Sequence, residues 1–221
     1  MWQAVGALLP IAVALAVSSV PIIVMIMILL SPRRNASALP FLLGWVIGIA
    51  LVVFLSTLGA NALPEARRRV QDTLAAVIKI VMGAVLICGA AISFLWRSRS
   101  QTAGVPNWLR SVDSFGPLSS FAVAVALNFR PKGLVLGVAA GLILGGASLP
   151  PWETAVGIAI YTVLAASTVV VPIIATLLAP NRVEPRLVAT QAWLTKNGGI
   201  VAALMLFMIG VVILGDGLGG L

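Results

Sequence analysis

Apolar blocks long enough to cross a hydrocarbon core recur along this whole chain, and that recurrence restricts it to a membrane-embedded helical bundle. A core of about 30 Å takes roughly 20 apolar residues as helix, because in lipid every backbone N–H and C=O must be paired within its own segment. Hydrophobic residues make up 61% of the 221 and charged residues 9%. With a mean hydropathy of +1.13, the balance is not that of a water-soluble domain. The expectation is an all-α integral membrane protein, a single transmembrane domain over residues 1–221 with short loops. Its first block has no basic flank and runs far beyond a signal-peptide core, so it reads as a retained span.

Six transmembrane helices are predicted. The first runs from Val5 to Leu30, split near Ser18-Ser19-Val20-Pro21 and closed by Ser31-Pro32-Arg33-Arg34-Asn35. The second, Leu39 to Leu58, carries Gly44 and Gly48 at the spacing that lets helices approach closely. The third runs from Leu74 to Trp96 with Lys79 inside its start; Trp96 and Trp108 suit the interfacial belt. A connecting loop over 97–115 holds too many turn residues for an extra domain. The fourth block spans Leu118 to Ala147, and the fifth spans Thr154 to Leu178 with a bend near Pro172. A polar loop from Ala179 to Asn197 then leads to the sixth, Gly198 to Leu214, with Asp216 at its exit.

The net charge of +8 would suggest nucleic acid in a soluble protein. Here the cations mostly lie between spans, at Arg33, Arg34, Arg97, Arg99, Arg110, Arg182, Arg186 and Lys196, which is the pattern of topogenic charge. It places the loops after spans one, three and five in the cytoplasm and both termini outside; Arg67-Arg68-Arg69 opposes that assignment. One cysteine, Cys88, excludes an intramolecular disulfide. The lack of histidine and the presence of only six carboxylates argue against a transition-metal site, a cofactor or an acid–base–nucleophile cluster, so no enzyme is expected.

Within the fourth block, Asn128-Phe129-Arg130-Pro131-Lys132-Gly133 places two cations and a helix breaker where lipid should be. An unpaired charge at that depth costs about 2.5–3.5 kcal/mol, and proline removes a backbone donor. The two flanking pieces are each too short to cross alone and form either one broken span or a re-entrant pair. Gly133, Gly137, Gly141 and Gly145 leave one helix face as bare backbone, better suited to close packing than to a substrate groove.

Two halves, about 1–99 and 115–221, share a plan. Each opens with a proline-interrupted helix, and Gly83-Ala84-Val85-Leu86-Ile87 parallels Gly210-Val211-Val212-Ile213-Leu214. An odd number of spans per half makes the repeat inverted, with broken first and fourth helices. Half-helix ends expose unpaired amides and carbonyls, so such breaks mark transporter binding sites. The candidates are therefore Ser18, Ser19 and Pro21 at one break and Asn128, Arg130, Pro131 and Lys132 at the other. Pro10 and Pro172 read as simple kinks.

The chain also resembles the peptidoglycolipid-addressing (GAP) family of the lysine-exporter superfamily, which includes sulfolipid-addressing proteins of actinobacterial envelopes. The resemblance covers nearly the whole chain. It rests on Pro21 followed by Leu30-Ser31-Pro32-Arg33, Phe41-Leu42-Leu43-Gly44-Trp45-Val46-Ile47-Gly48, Lys79-Ile80-Val81-Met82-Gly83, an Asn-Pro-Lys-like element, Trp193-Leu194 and Ile209-Gly210. The family's compact Asn-Pro-Lys reads here as Asn128-Phe129-Arg130-Pro131-Lys132, so either Asn128 or Arg130 holds the asparagine place. The resemblance implies export or delivery of an envelope glycolipid, beside a larger lipid transporter where one is present.

A planar guanidinium and two point charges suit an anionic headgroup, so Arg130, Lys132 and Lys79 are expected to line a sheltered polar cavity. Lys79 could instead snorkel to the interface, and Arg130 and Lys132 could tip a solvated hairpin. Asp216 is the candidate for proton coupling, beside Glu153 and Asp72. Two rival readings stand against lipid export: efflux of small amino-acid-like solutes, and a non-transporting scaffold of a lipid-export complex. Glycine spacing also permits a homo-oligomer.

Overall fold

The computed structural model describes residues 1–61, 80–81, 83–85, 87–92, 115–147 and 149–218. The described residues form helices α1 (Trp2–Ala16), α2 (Ser19–Leu30), α3 (Arg34–Asn61), α5 (Pro117–Asn128), α6 (Pro131–Gly146), α7 (Pro151–Leu178) and α8 (Pro180–Leu218). Between α3 and α5 lies a shorter apolar helix, α4 (Gly83–Ile92). Proline is the first residue of α5, α6, α7 and α8. Its missing N–H has no intrahelical partner at that position, and its fixed φ favours the first turn. Pro21, third in α2, is tolerated for the same reason.

Among the described residues, α3 and α7 are each long and apolar enough to cross a membrane. The pairs α1–α2 and α5–α6 qualify when each is taken together, bent by 52° and 66°. The predicted split of the first block thus falls at Val17-Ser18, and α7 continues through Pro172 as one helix. Lys79, Arg67-Arg68-Arg69, Trp96, Trp108 and most of the 97–115 loop lie outside the described residues.

One expectation is corrected. The segment 179–197 is not a polar loop: α8 begins at Pro180 and runs for 39 residues. After Pro185 no proline interrupts it, and Leu187 is buried while Arg182, Glu184, Arg186 and Val188 are exposed, a pattern that ties the early turns to the bundle. At 1.5 Å per residue the helix is about 58 Å long, beyond the roughly 40–45 Å of a whole bilayer. Its polar first turns therefore belong outside the hydrocarbon.

The glycines fix how the helices align. A Cβ at Gly44 would sit 2.5 Å from the Phe121 carbonyl and 3.0 Å from Ala124. A Cβ at Gly48 would collide with the Asn128 side chain, one at Gly137 would sit 2.5 Å from Val52, and one at Gly141 would meet Ser56 and Val53. Read in order, α5 and then α6 advance along α3 in the same direction. Both therefore run parallel to α3 on either side of the bend, as the two pieces of one candidate broken span. The glycine face of α6 is spent on helix packing.

The first broken span repeats this arrangement on α7. The Met1 amino group lies 3.8 Å from Glu153 Oε2 at one end, and the Thr168 hydroxyl donates to the Ala16 carbonyl farther along. So α1 runs parallel to α7. The start of α3 lies beside the start of α8, where Arg34 Nη1 is 3.4 Å from Glu184 Oε2; α8 begins where α7 ends, so α3 and α7, which pack together, run antiparallel. Finally, α4 and α8 cross at two glycines. A Cβ at Gly83 would lie 2.8 Å from the Gly210 carbonyl and 2.9 Å from Leu214; one at Gly210 would lie 2.9 Å from the Gly83 carbonyl and 2.7 Å from Ile87. Each glycine thus faces the other and the residue four beyond it.

Candidate functional site

Both interruptions lie deep in the bundle. Asn128, facing Gly48, is about 21 Å along α3 from Arg34 and about 20 Å from Asn61. Ala16, facing Thr168, is about 15 Å from the end of α7 at Leu178. Because α1 also packs on α6, the carbonyl end of α1 and the amide end of α6 both terminate at this depth, and they carry opposite poles of the helix dipole.

A side chain serves the backbone at each break. Asn128 is 2% exposed, and its Nδ2 donates to the Ala124 carbonyl at 3.0 Å. This bond lies within the last turn of α5, from residue 128 back to residue 124. Thr168 donates likewise to the Ala16 carbonyl, across the bundle. Ser18, at the cap position of α2, makes no side-chain capping bond, and its backbone N–H donates to the Leu15 carbonyl at 3.1 Å. Ser19 begins α2 and is half-buried, while Pro21 is buried in its first turn.

At the second break Phe129 leaves the helix, Arg130 is extended with φ −68° and ψ 151°, and Pro131 restarts the helix. Arg130, Phe129 and Pro131 are exposed and Lys132 is half-buried. This corrects the expectation of a sheltered cavity around both cations. Asn128 and Gly133 take the side that packs on α3 and on the end of α5, so Arg130 is turned outward. The residues between Asn128 and Gly137 lie beside the middle of α3. A guanidinium at that depth cannot be left against hydrocarbon cheaply.

The remaining candidates are not gathered here. Lys79 lies outside the described residues, as do Asp72 and the side chain of Asp216 within α8. Glu153 is at the Met1 end, paired with the Met1 amino group. Sequence reasoning did not single out Gly48 and Thr168 as partners of the breaks. Gly48 was visible only as a packing glycine, and Thr168 gave no signal. A laterally open apolar groove of about 400 Å³ lies between α3 and α7, lined by Ile47, Ala50, Leu51, Phe54, Ala155 and Ile158. It offers no polar contact and suits hydrocarbon.

The family model described as Sap, sulfolipid-1-addressing protein, matches residues 8–219. No curated protein and no solved structure matches the chain.

Proposed function

The chain belongs to the sulfolipid-1-addressing protein family, and from that premise we propose that it exports or delivers an envelope glycolipid with an anionic headgroup from the bacterial plasma membrane. The carrying observation is the register of the second broken span, which sets Arg130 and Lys132 midway along α3. The guanidinium and ammonium hold the headgroup, each as a charge-assisted donor, while the acyl chains stay in lipid.

The transport reading assigns the chain six spans in two inverted halves. Parallel packing of α5–α6 on α3 and of α1 on α7, together with the reciprocal Gly83–Gly210 crossing, supports that repeat. Rocking one half against the other would expose the breaks to opposite sides in turn. The end carrying Arg33, Arg34, Arg182 and Arg186 is cytoplasmic in this reading, and Met1 lies outside.

A lipidomic comparison of envelopes from cells with and without the protein tests the proposal. An anionic glycolipid should be lost from the outer envelope and accumulate at the plasma membrane. An unchanged lipid inventory with altered amino-acid efflux would favour small-solute export. Lipid delivery that fails in cells, with no transfer by the purified protein in vesicles, would favour the scaffold.

A further inference from the structure

Four polar atoms in the bundle interior have no hydrogen-bond partner among the described residues: Trp45 Nε1 and the hydroxyls of Ser120, Tyr161 and Thr162. Their residues are 1%, 0%, 0% and 6% exposed. An unpaired buried polar group costs about 1–3 kcal/mol, so a group of four within one small bundle requires an explanation.

Two of the four stand on α7, one on α3 and one on α5, and both α5 and α7 pack on α3. Trp45 stands about 16 Å along α3 from its start and Tyr161 about 15 Å along α7 from the opposite end. The two helices pack antiparallel, so these residues bracket mid-depth from either side. Ser120 precedes by one turn Ala124, which faces Gly44 beside Trp45. Thr162 follows Tyr161, and Trp45, Tyr161 and Ala124 belong to one contiguous core. An indole N–H and three hydroxyls are uncharged donors and acceptors, a set that matches hydroxyl oxygens and water rather than ions.

We infer that the α3–α7 seam is a second polar subsite, closed in this conformation, which binds the hydroxyl-bearing, uncharged part of the transported molecule once the two halves part. The inference rests on the transport reading and extends it: the breaks hold the headgroup's charge, and the seam holds its hydroxyls. Water is the other source of the same chemistry, and it enters the seam before the headgroup does.

The test uses the full chain reconstituted in phosphatidylcholine vesicles with and without a sulfated galactolipid. Pulsed hydroxyl-radical labelling is read at Trp45 and Tyr161, with buried Met25, 1% exposed, as the dry control. Both residues should label well above Met25 in plain vesicles and fall severalfold with the galactolipid present. Tyr161→Phe and Thr162→Val should leave the melting temperature unchanged or raised while lowering galactolipid transfer. Labelling no greater than at Met25, labelling indifferent to the galactolipid, or a lowered melting temperature in Tyr161→Phe would each overturn the subsite. Arg130→Gln separates the two readings. Transfer that survives this change counts against the cation site, while the seam is still judged on its own labelling.

Discussion

The carboxamide of Asn128 rests on the bare backbone of Gly48, at the level where the second broken span is interrupted. Gly48 leaves the room that lets Asn128 turn back onto the Ala124 carbonyl. The break is thereby held by a packing contact and a hydrogen bond that depend on each other.

Gly48→Ala should expel the Asn128 amide rather than separate the helices, because the colliding atoms are the end of a side chain. The cost is that of a buried amide donor left without its partner, about 1–3 kcal/mol. In the double variant with Asn128→Ala, the second change should add little, giving a coupling of roughly 0.5–3 kcal/mol in a thermal-unfolding cycle. Strict additivity would show that the two residues act separately.

Thr168→Val should destabilise the protein by about 1–3 kcal/mol, since the carbonyl of buried Ala16 loses its side-chain donor. Thr168→Ser keeps the hydroxyl and should recover most of the loss. Equal melting temperatures for the valine and serine variants would exclude the cap.

Gly83→Ala meets the Gly210 carbonyl and the Leu214 backbone, which cannot rotate away. Overpacking there should cost about 1–3 kcal/mol, and adding Gly210→Ala should worsen it. Unfolding midpoints of the single and double variants check this; a double variant as stable as either single one would contradict the crossing.

Arg130→Gln and Lys132→Gln should each reduce lipid delivery roughly ten- to a hundredfold, the effect of losing a charge-assisted hydrogen bond of about 1.5–3 kcal/mol. Folded yield should be unchanged for Arg130→Gln, because Arg130 is exposed. Delivery at the unaltered level, measured as glycolipid reaching the outer envelope, would remove these side chains from the mechanism.

On a Cys88→Ser background, Phe129→Cys should react with a membrane-impermeant maleimide from one side only. Phe129 is half-exposed at mid-depth beside two cations whose surroundings must be wet. Protection from both sides would rule out a water-accessible groove there.

What the chain's residues settled alone is local. Apolar length set the helices, and proline beside serine or cations set both interruptions, Ser18 to Pro21 and Asn128 to Pro131, because each signal acts on its own turn of backbone. Packing decided the rest. Only the meeting of α3 with α5 and α6 set both pieces parallel to α3, turned Arg130 outward and buried Asn128 on Gly48. Thr168 and Ala16 lie far apart in the chain, and no periodicity links them. A hydropathy pattern reports how each segment partitions between water and lipid; which bare backbone faces which side chain depends on the fit of surfaces, and that exists only once the helices have assembled.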